Sequence, residues 1–146
     1  DIIFGGELRG PLLDELGNIA GRANLKGFAF EYMTNGRAVV MGDPGPWICA
    51  GMTGGVIYQR LQPEYGLDQA AIQRRIAKGA KVNIAALDEK GRQDVTELLS
   101  IYHAELVESG QAEAAANVAK LLESPEAHFV AIRPVTMQAD QSVATE

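Results

Sequence analysis

FAFEYMTNGRAVVMGDPGPWICAGMTGGVIY, residues 28 to 58, decides the fold. It holds two short apolar runs, each led by a glycine turn, and the runs repeat one another. Met33-Thr34-Asn35-Gly36 precedes Arg37-Ala38-Val39-Val40, and Met52-Thr53-Gly54-Gly55 precedes Val56-Ile57-Tyr58, so Met, Thr and Gly recur at a step of 19. Phe28 with Trp47 and Ala29 with Ile48 keep the step, and Gly17, Gly36 and Gly55 form a series of three. Such a period, with glycine at the corners and β-branched or aromatic residues between them, predicts coils that lay strand on strand. Corners take glycine or asparagine because the chain turns there through positive φ, where a Cβ is costly. The competing reading is an antiparallel hairpin turned at Asn35-Gly36. The expected fold class is mostly β with C-terminal helices: a short β-solenoid followed by an α-helical extension.

A chain of 146 residues, 47% of them hydrophobic, can bury one core and suits a single domain. The net charge of −6 argues against a nucleic-acid partner, which would need Lys and Arg gathered on one face. Arg74-Arg75 and Lys78 form a small basic cluster, read as a solvated helix face. Cys49 is the only cysteine, so no internal disulfide forms and no iron–sulfur cluster can be held by this chain alone. It stands in an apolar run and reads as a small buried hydrophobe. No apolar run reaches membrane-spanning length and nothing resembles a signal peptide, which points to the cytoplasm and to no membrane partner. Asp1 in place of an initiating methionine reads as a piece cut or processed from something longer.

Before residue 28, Ile2-Ile3-Phe4 and Leu12-Leu13 read as partial strands of earlier coils among frequent glycines. Asp43-Pro44-Gly45-Pro46 reads as a rigid turn. Asp68 caps a helix predicted from Gln69 to about Lys78 and stopped by Gly79, and Val82-Asn83-Ile84 is one last strand. Asp94 is taken as the next N-cap, with Glu97 completing a box. The stripe Val95, Leu98, Leu99, Tyr102 and Leu106 follows at helical spacing until Ser109-Gly110 breaks it. A second helix over Gln111 to Glu123 is read with its stripe at Ala112, Ala115, Ala116, Ala119 and Leu122. Pro125 ends it, and His128 to Ile132 is a strand or strap before Pro134.

Sites of chemistry are sparse. Gly51-Met52-Thr53-Gly54-Gly55 could cradle an anion on backbone N–H groups, but no Lys-Ser/Thr follows and the next element is a strand rather than a helix. Corner glycines explain the same residues. His103 and His128 lack metal-ligand spacing, and no serine stands in a nucleophile elbow. Glu97, Glu105 and Glu108 follow the polar face of a helix. Met33, Met52, Trp47, Tyr32 and Tyr58 read as core filling rather than a stacking site, with Tyr32 beside Glu31 as the place for exposed specificity. The site residues expected are structural turn residues: Gly17, Asn35, Gly36, Gly51, Gly54 and Gly55. No catalytic, cofactor-binding or metal residue is assigned.

Tyr32-Met33-Thr34-Asn35-Gly36, Val39-Val40-Met41-Gly42 and Ala50-Gly51-Met52-Thr53-Gly54-Gly55 with Ile57-Tyr58 together resemble the GXGXG domain at the C-terminus of the glutamate synthase large subunit. That family reads E-Y-M-T-G-G, V-V-V-L-G and A-A-G-M-S-G-G at these places. The likeness continues through Thr96-Glu97-Leu98-Leu99 to His103, Glu108-Ser109-Gly110, His128-Phe129-Val130 and Pro134, covering roughly residues 18 to 134. It implies a right-handed parallel β-helix with no catalytic residue. It also implies a scaffold packed among an amidotransferase domain, a central domain and an FMN-binding barrel of an enzyme that makes glutamate from glutamine and 2-oxoglutarate. FMN and an iron–sulfur cluster belong to that parent assembly and no cofactor to this chain. The same domain type occurs in the C subunit of formylmethanofuran dehydrogenase, so the fold alone does not name the assembly. Asn35 replaces a common glycine, and the earlier coils, the nucleophilic cysteine, the barrel and the cluster cysteines of the synthase are missing.

The implied layout is one GXGXG-type domain over 1–134, with coils over 1–61, a helical extension and closing strand over 62–134, and a disordered tail over 135–146. Two or three coils leave open strand edges. The partners expected are therefore other glutamate-synthase domains, or a second copy when the chain is isolated. Two further functions stand beside the scaffold: a small-ligand or anion-binding module at Gly51 to Gly55, and a hydrolase or transferase site near His103 or His128, for which no constellation is found.

Overall fold

The computed structural model describes residues 2–5, 33–45 and 48–135. Its centre is β3 (Val56–Arg60), flanked by β2 (Arg37–Val40) on one side and β5 (Phe129–Pro134) on the other. β1 (Ile2–Phe4) lies outside β2, and β4 (Val82–Ala86) lies outside β5, giving the order β1-β2-β3-β5-β4. β1, β2 and β3 run parallel; β5 is antiparallel to both β3 and β4.

The 19-residue step is visible as register, since Arg37 pairs with Val56 and Val39 with Tyr58. The parallel β-helix is not there, and this corrects the expected fold class: the sheet is open and mixed, with helices packed against it. The reason lies on the far edge of β3. A further coil would have to lie parallel there, but Tyr58 faces Ala131 of an antiparallel strand, which closes the stack. β1 breaks the period as well, pairing Ile3 with Val39 at a step of 36. The hairpin reading fails too, because β2 and β3 are parallel and Asn35-Gly36 precedes both. The expected coils around Leu12-Leu13, the Phe28–Trp47 pairing, Tyr32 and Gly17 lie outside the described residues, as does the expected tail after Val135.

Strands buried on both faces read as continuous apolar runs, which is why β2 and β3 resemble solenoid rungs in sequence. Alternate residues serve different cores. Val39, Val56, Tyr58, Phe129 and Ala131 pack with Val95, Leu98 and Leu99 of α2 (Glu89–Glu108) and Ala115, Val118 and Leu121 of α3 (Ala112–Glu123). Ala38, Val40, Ile57 and Ile132 face the other way, against Ile48, Cys49, Met52, Leu67 and α1 (Gln69–Arg75) through Ala71 and Ile72. Each buried Ile, Leu or Val contributes roughly 1.5–3 kcal/mol over leaving it in water.

The helices start where capping chemistry dictates and stop where tertiary pairing intervenes. Asp68 accepts from the Ala71 N–H at 2.9 Å and caps α1. α1 ends at Arg75, short of the expected Lys78, because Ile48 donates to the Arg75 carbonyl and Ala77 donates to the Ile48 carbonyl, drawing the chain into an extended bridge. Asp88, not Asp94, caps α2, accepting from the Gly91 N–H at 2.7 Å. α2 ends at Ser109-Gly110, where Gly110 takes a positive φ. A 3₁₀ turn (Pro63–Tyr65) closes on Gly66, and α4 (Pro125–His128) leads straight into β5. Arg75 is also a correction: it is wholly buried and bonded to Asp43, while Arg74 and Lys78 are exposed. Among the described residues no helix is long and apolar enough to cross a membrane.

Candidate functional site

A cleft of about 680 Å³ opens where the N-terminal turns of α2 pass over the starts of β2 and β3. Its wall carries Arg37, Tyr58, Lys90, Asp94 and Arg133, brought from four elements, and its rim carries Thr34, Asn35, Gly36 and Gly55. Asp94 is the hub. Tyr58 donates its hydroxyl to Asp94 Oδ2 at 2.6 Å, while Arg37 Nη1 and Lys90 Nζ donate to Oδ1 at 3.0 and 2.9 Å. Arg37 also reaches Glu97 Oε2 at 3.1 Å.

Burial raises the cost of the Asp94 charge, but the bonds from Tyr58, Lys90 and Arg37 outweigh it and hold its pKa below the ordinary carboxylate value. The Tyr58 hydroxyl moves the other way: burial first, then the hydrogen bond to Asp94, push its pKa up. Near neutral pH the pair is a carboxylate and a neutral phenol. The phenol keeps its proton and donates it in the bond to Asp94, which braces β3 against α2. Arg133 stands 6.0 Å over the Tyr58 ring, with Nη2 3.5 Å from the hydroxyl and 3.9 Å from Asp88 Oδ1.

Of the turn residues, Asn35, Gly36 and Gly55 line this cleft. Gly36, Gly51 and Gly55 take φ of 91°, 67° and 81°. Asn35 does not share that conformation; Gly36 makes the turn. Gly54 sits so close to the backbone that a Cβ would fall on the Thr34 carbonyl oxygen, with the carbonyl carbon at 2.8 Å. The N–H groups of Thr53 and Gly54 both donate to the Met33 carbonyl, and Val56 N–H to that of Gly36. Two N–H groups of the 51–55 turn thus bond residue 33, and with the Val56 bond they join the two repeats. Gly17 lies outside the described residues.

A family model of the GXGXG motif matches residues 20–135. The chain belongs to the GXGXG motif family. The joint just described is where the motif's glycines and the Met-Thr pairs meet. The GXGXG chain is also similar to a ferredoxin-dependent glutamate synthase of Cyanidium caldarium, 43% identical over 67 residues. The match takes in 42% of this chain and 4% of that protein.

Met52 and Tyr58 are buried in this GXGXG chain and Met33 packs against the core, whereas Trp47 and Tyr32 lie outside the described residues. His103 on α2 and His128 at the end of α4 are half-buried, and among the described residues no three His, Cys, Asp or Glu side chains gather as metal ligands. Cys49 is buried at a φ of 69°, and burial pushes its thiol up to about 12. An iron–sulfur cluster does not fit this chain's own residues, which offer one buried, protonated thiol where several thiolates are needed. The Asp94 hub escapes a sequence reading that places a cap there. Its signal is a carboxylate on the stripe of Val95 and Leu98, a polar residue where the helix should be apolar.

Proposed function

We propose that the chain is a non-catalytic scaffold of a glutamate-synthase-like enzyme. The observation that carries this is the state of the cleft's ionisable groups: its buried carboxylate takes three donors and its phenol is held neutral. Family membership and the likeness to a ferredoxin-dependent glutamate synthase support the assembly. On this reading glutamate formation from glutamine and 2-oxoglutarate, the FMN and the iron–sulfur cluster reside in the enzyme's other parts. The sheet margins β1 and β4 and the exposed Ile101 and Val107 of α2 are the surfaces those parts would cover. Isolated, the chain covers them with a second copy.

The alternative, an anion held at Gly51 to Gly55, is less well supported, because Thr53, Gly54 and Val56 already donate within the chain. The test is to assay the chain alone, and the enzyme assembled with and without it. The chain alone should form no glutamate, and the assembly should need it. Asp94→Asn should lower the assembly's thermal midpoint while kcat of the folded fraction stays within roughly twofold. Turnover by the chain alone, or a collapse of kcat in an intact assembly carrying Asp94→Asn, overturns the scaffold reading.

A further inference from the structure

We infer that the cleft binds a single carboxylate group, taken by Arg133 with Lys90 beside it. The inference goes beyond the scaffold reading and does not depend on it.

Two other arginines among the described residues, Arg75 and Arg37, set the standard for a paired guanidinium. Arg75 holds Asp43 through Nε at 2.7 Å and Nη2 at 3.0 Å, and Arg37 holds Asp94 and Glu97 at 3.0 and 3.1 Å. Arg133 has no bond of that quality. Its nearest acceptors are the Tyr58 hydroxyl at 3.5 Å and Asp88 Oδ1 at 3.9 Å. Neither satisfies it, because at 3.5 and 3.9 Å both lie at or beyond the limit of a hydrogen bond, although the Tyr58 oxygen, its own proton given to Asp94, is turned to accept. A guanidinium has five N–H donors in a planar fork that matches a carboxylate bidentately. At 22% side-chain exposure in the cleft wall, Arg133 is reachable yet shielded enough for such a bond to hold.

Lys90 adds to this. One of its three protons goes to Asp94 and the side chain is 72% exposed, leaving donors at the mouth. Charge sets the ligand class. Arg37, Lys90 and Arg133 stand against Asp88, Asp94 and the Glu97 that Arg37 holds, so the group is neutral in a chain of net charge −6. A monoanionic carboxylate adds one negative charge to it, while a phosphate dianion would add two beside three carboxylates. The Tyr58–Asp94 bond holds in place the ring over which the Arg133 guanidinium carbon stands at 6.0 Å.

The carboxylate can come from a free small molecule or from an Asp or Glu side chain of a neighbouring domain, and the experiment separates them. The full chain is titrated with sodium acetate at constant ionic strength while the backbone amide resonances of positions 90 and 133, present in the natural chain and in the variants alike, are followed by NMR. Chloride serves as the control and inorganic phosphate as the competitor. Acetate should give a saturable shift that chloride does not give and that phosphate does not exceed. Arg133→Gln should weaken acetate binding at least about tenfold with the fold intact by circular dichroism. Arg133→Lys should retain part of it, and carries the test if the glutamine variant unfolds.

In the assembled enzyme, loss of association in Arg133→Gln assigns the carboxylate to a neighbouring domain. Unchanged association in Arg133→Gln, together with acetate binding by the natural chain that the variant loses, assigns it to a free ligand. An equal response to chloride, tighter binding of phosphate, or a variant that titrates like the natural chain overturns the inference.

Discussion

At Asp94 a single carboxylate ties three elements together, since its donors come from β2, β3 and its own helix. Removing the charge strands Tyr58 in the core and leaves Arg37 short of a partner. Asp94→Ala is therefore expected to cost about 3 kcal/mol, read from chemical denaturation. The sign of its pH dependence follows from the folded pKa, which lies below the ordinary value of 3.8. Stability contributed by Asp94 is complete above that value and is lost as pH falls through the lower folded pKa. The stability difference between the natural chain and Asp94→Asn should accordingly be constant near neutrality and shrink only in acid. A difference already shrinking between pH 5 and 7 would exclude Asp94 as the hub. Two glycines give a second contrast. Gly54→Ala drives a methyl into the Thr34 peptide and should cost about 3 kcal/mol. Gly36→Ala meets no atom within 4 Å and carries only the strain of a φ of 91°, about 1 kcal/mol. Calorimetry should rank them in that order.

Among the elements, α3 shows where pattern reading slips. Its alanines allow several stripes, and the one read from sequence joins the buried Ala115 and half-buried Leu122 to Ala112, Ala116 and Ala119, which are exposed. The buried face is Ala115, Val118 and Leu121, because α3 must meet Leu106 and the α2 stripe after the Gly110 turn. Ala115→Leu should overpack that contact and cost about 2 kcal/mol, whereas Ala116→Leu should fall within about 0.5 kcal/mol of the natural chain. Equal costs at the two positions would restore the stripe read from sequence, which holds both. α2 carries the companion lesson. Its apolar stripe was legible from Val95 onward, but its first turns, Glu89 to Gln93, are polar and announce no helix except through the Asp88 cap. Asp88→Ala should remove about 1 kcal/mol, the value of a lost N-cap, and fray those turns in hydrogen exchange.

For the whole molecule the far side of the sheet depends on a wholly buried ion pair. Arg75 at the end of α1 grips Asp43 in the turn after β2, and Asp43 also accepts from the Gly45 N–H. Asp43→Asn leaves a guanidinium buried without its counter-charge, at about 3–5 kcal/mol, which lowers the melting temperature by roughly 10 °C in a chain of this size. Adding Arg75→Met should return much of that loss, which a double-mutant cycle would read as coupling. From sequence this arginine passed for a surface residue, since charge composition cannot say which side of a short helix a partner will claim. The sequence by itself determined the family, the parallel register of residues 37–40 on 56–59, the α2 stripe and the glycine joint. These rest on local spacing and on backbone conformations that few residues allow. Only the tertiary structure decided that the sheet is open and mixed, that Arg75 is buried, and that Tyr58, Asp94 and Arg133 share one cleft. Each of these follows from the last strand returning antiparallel beside β3 from some seventy positions away, and no local periodicity encodes a contact at that distance.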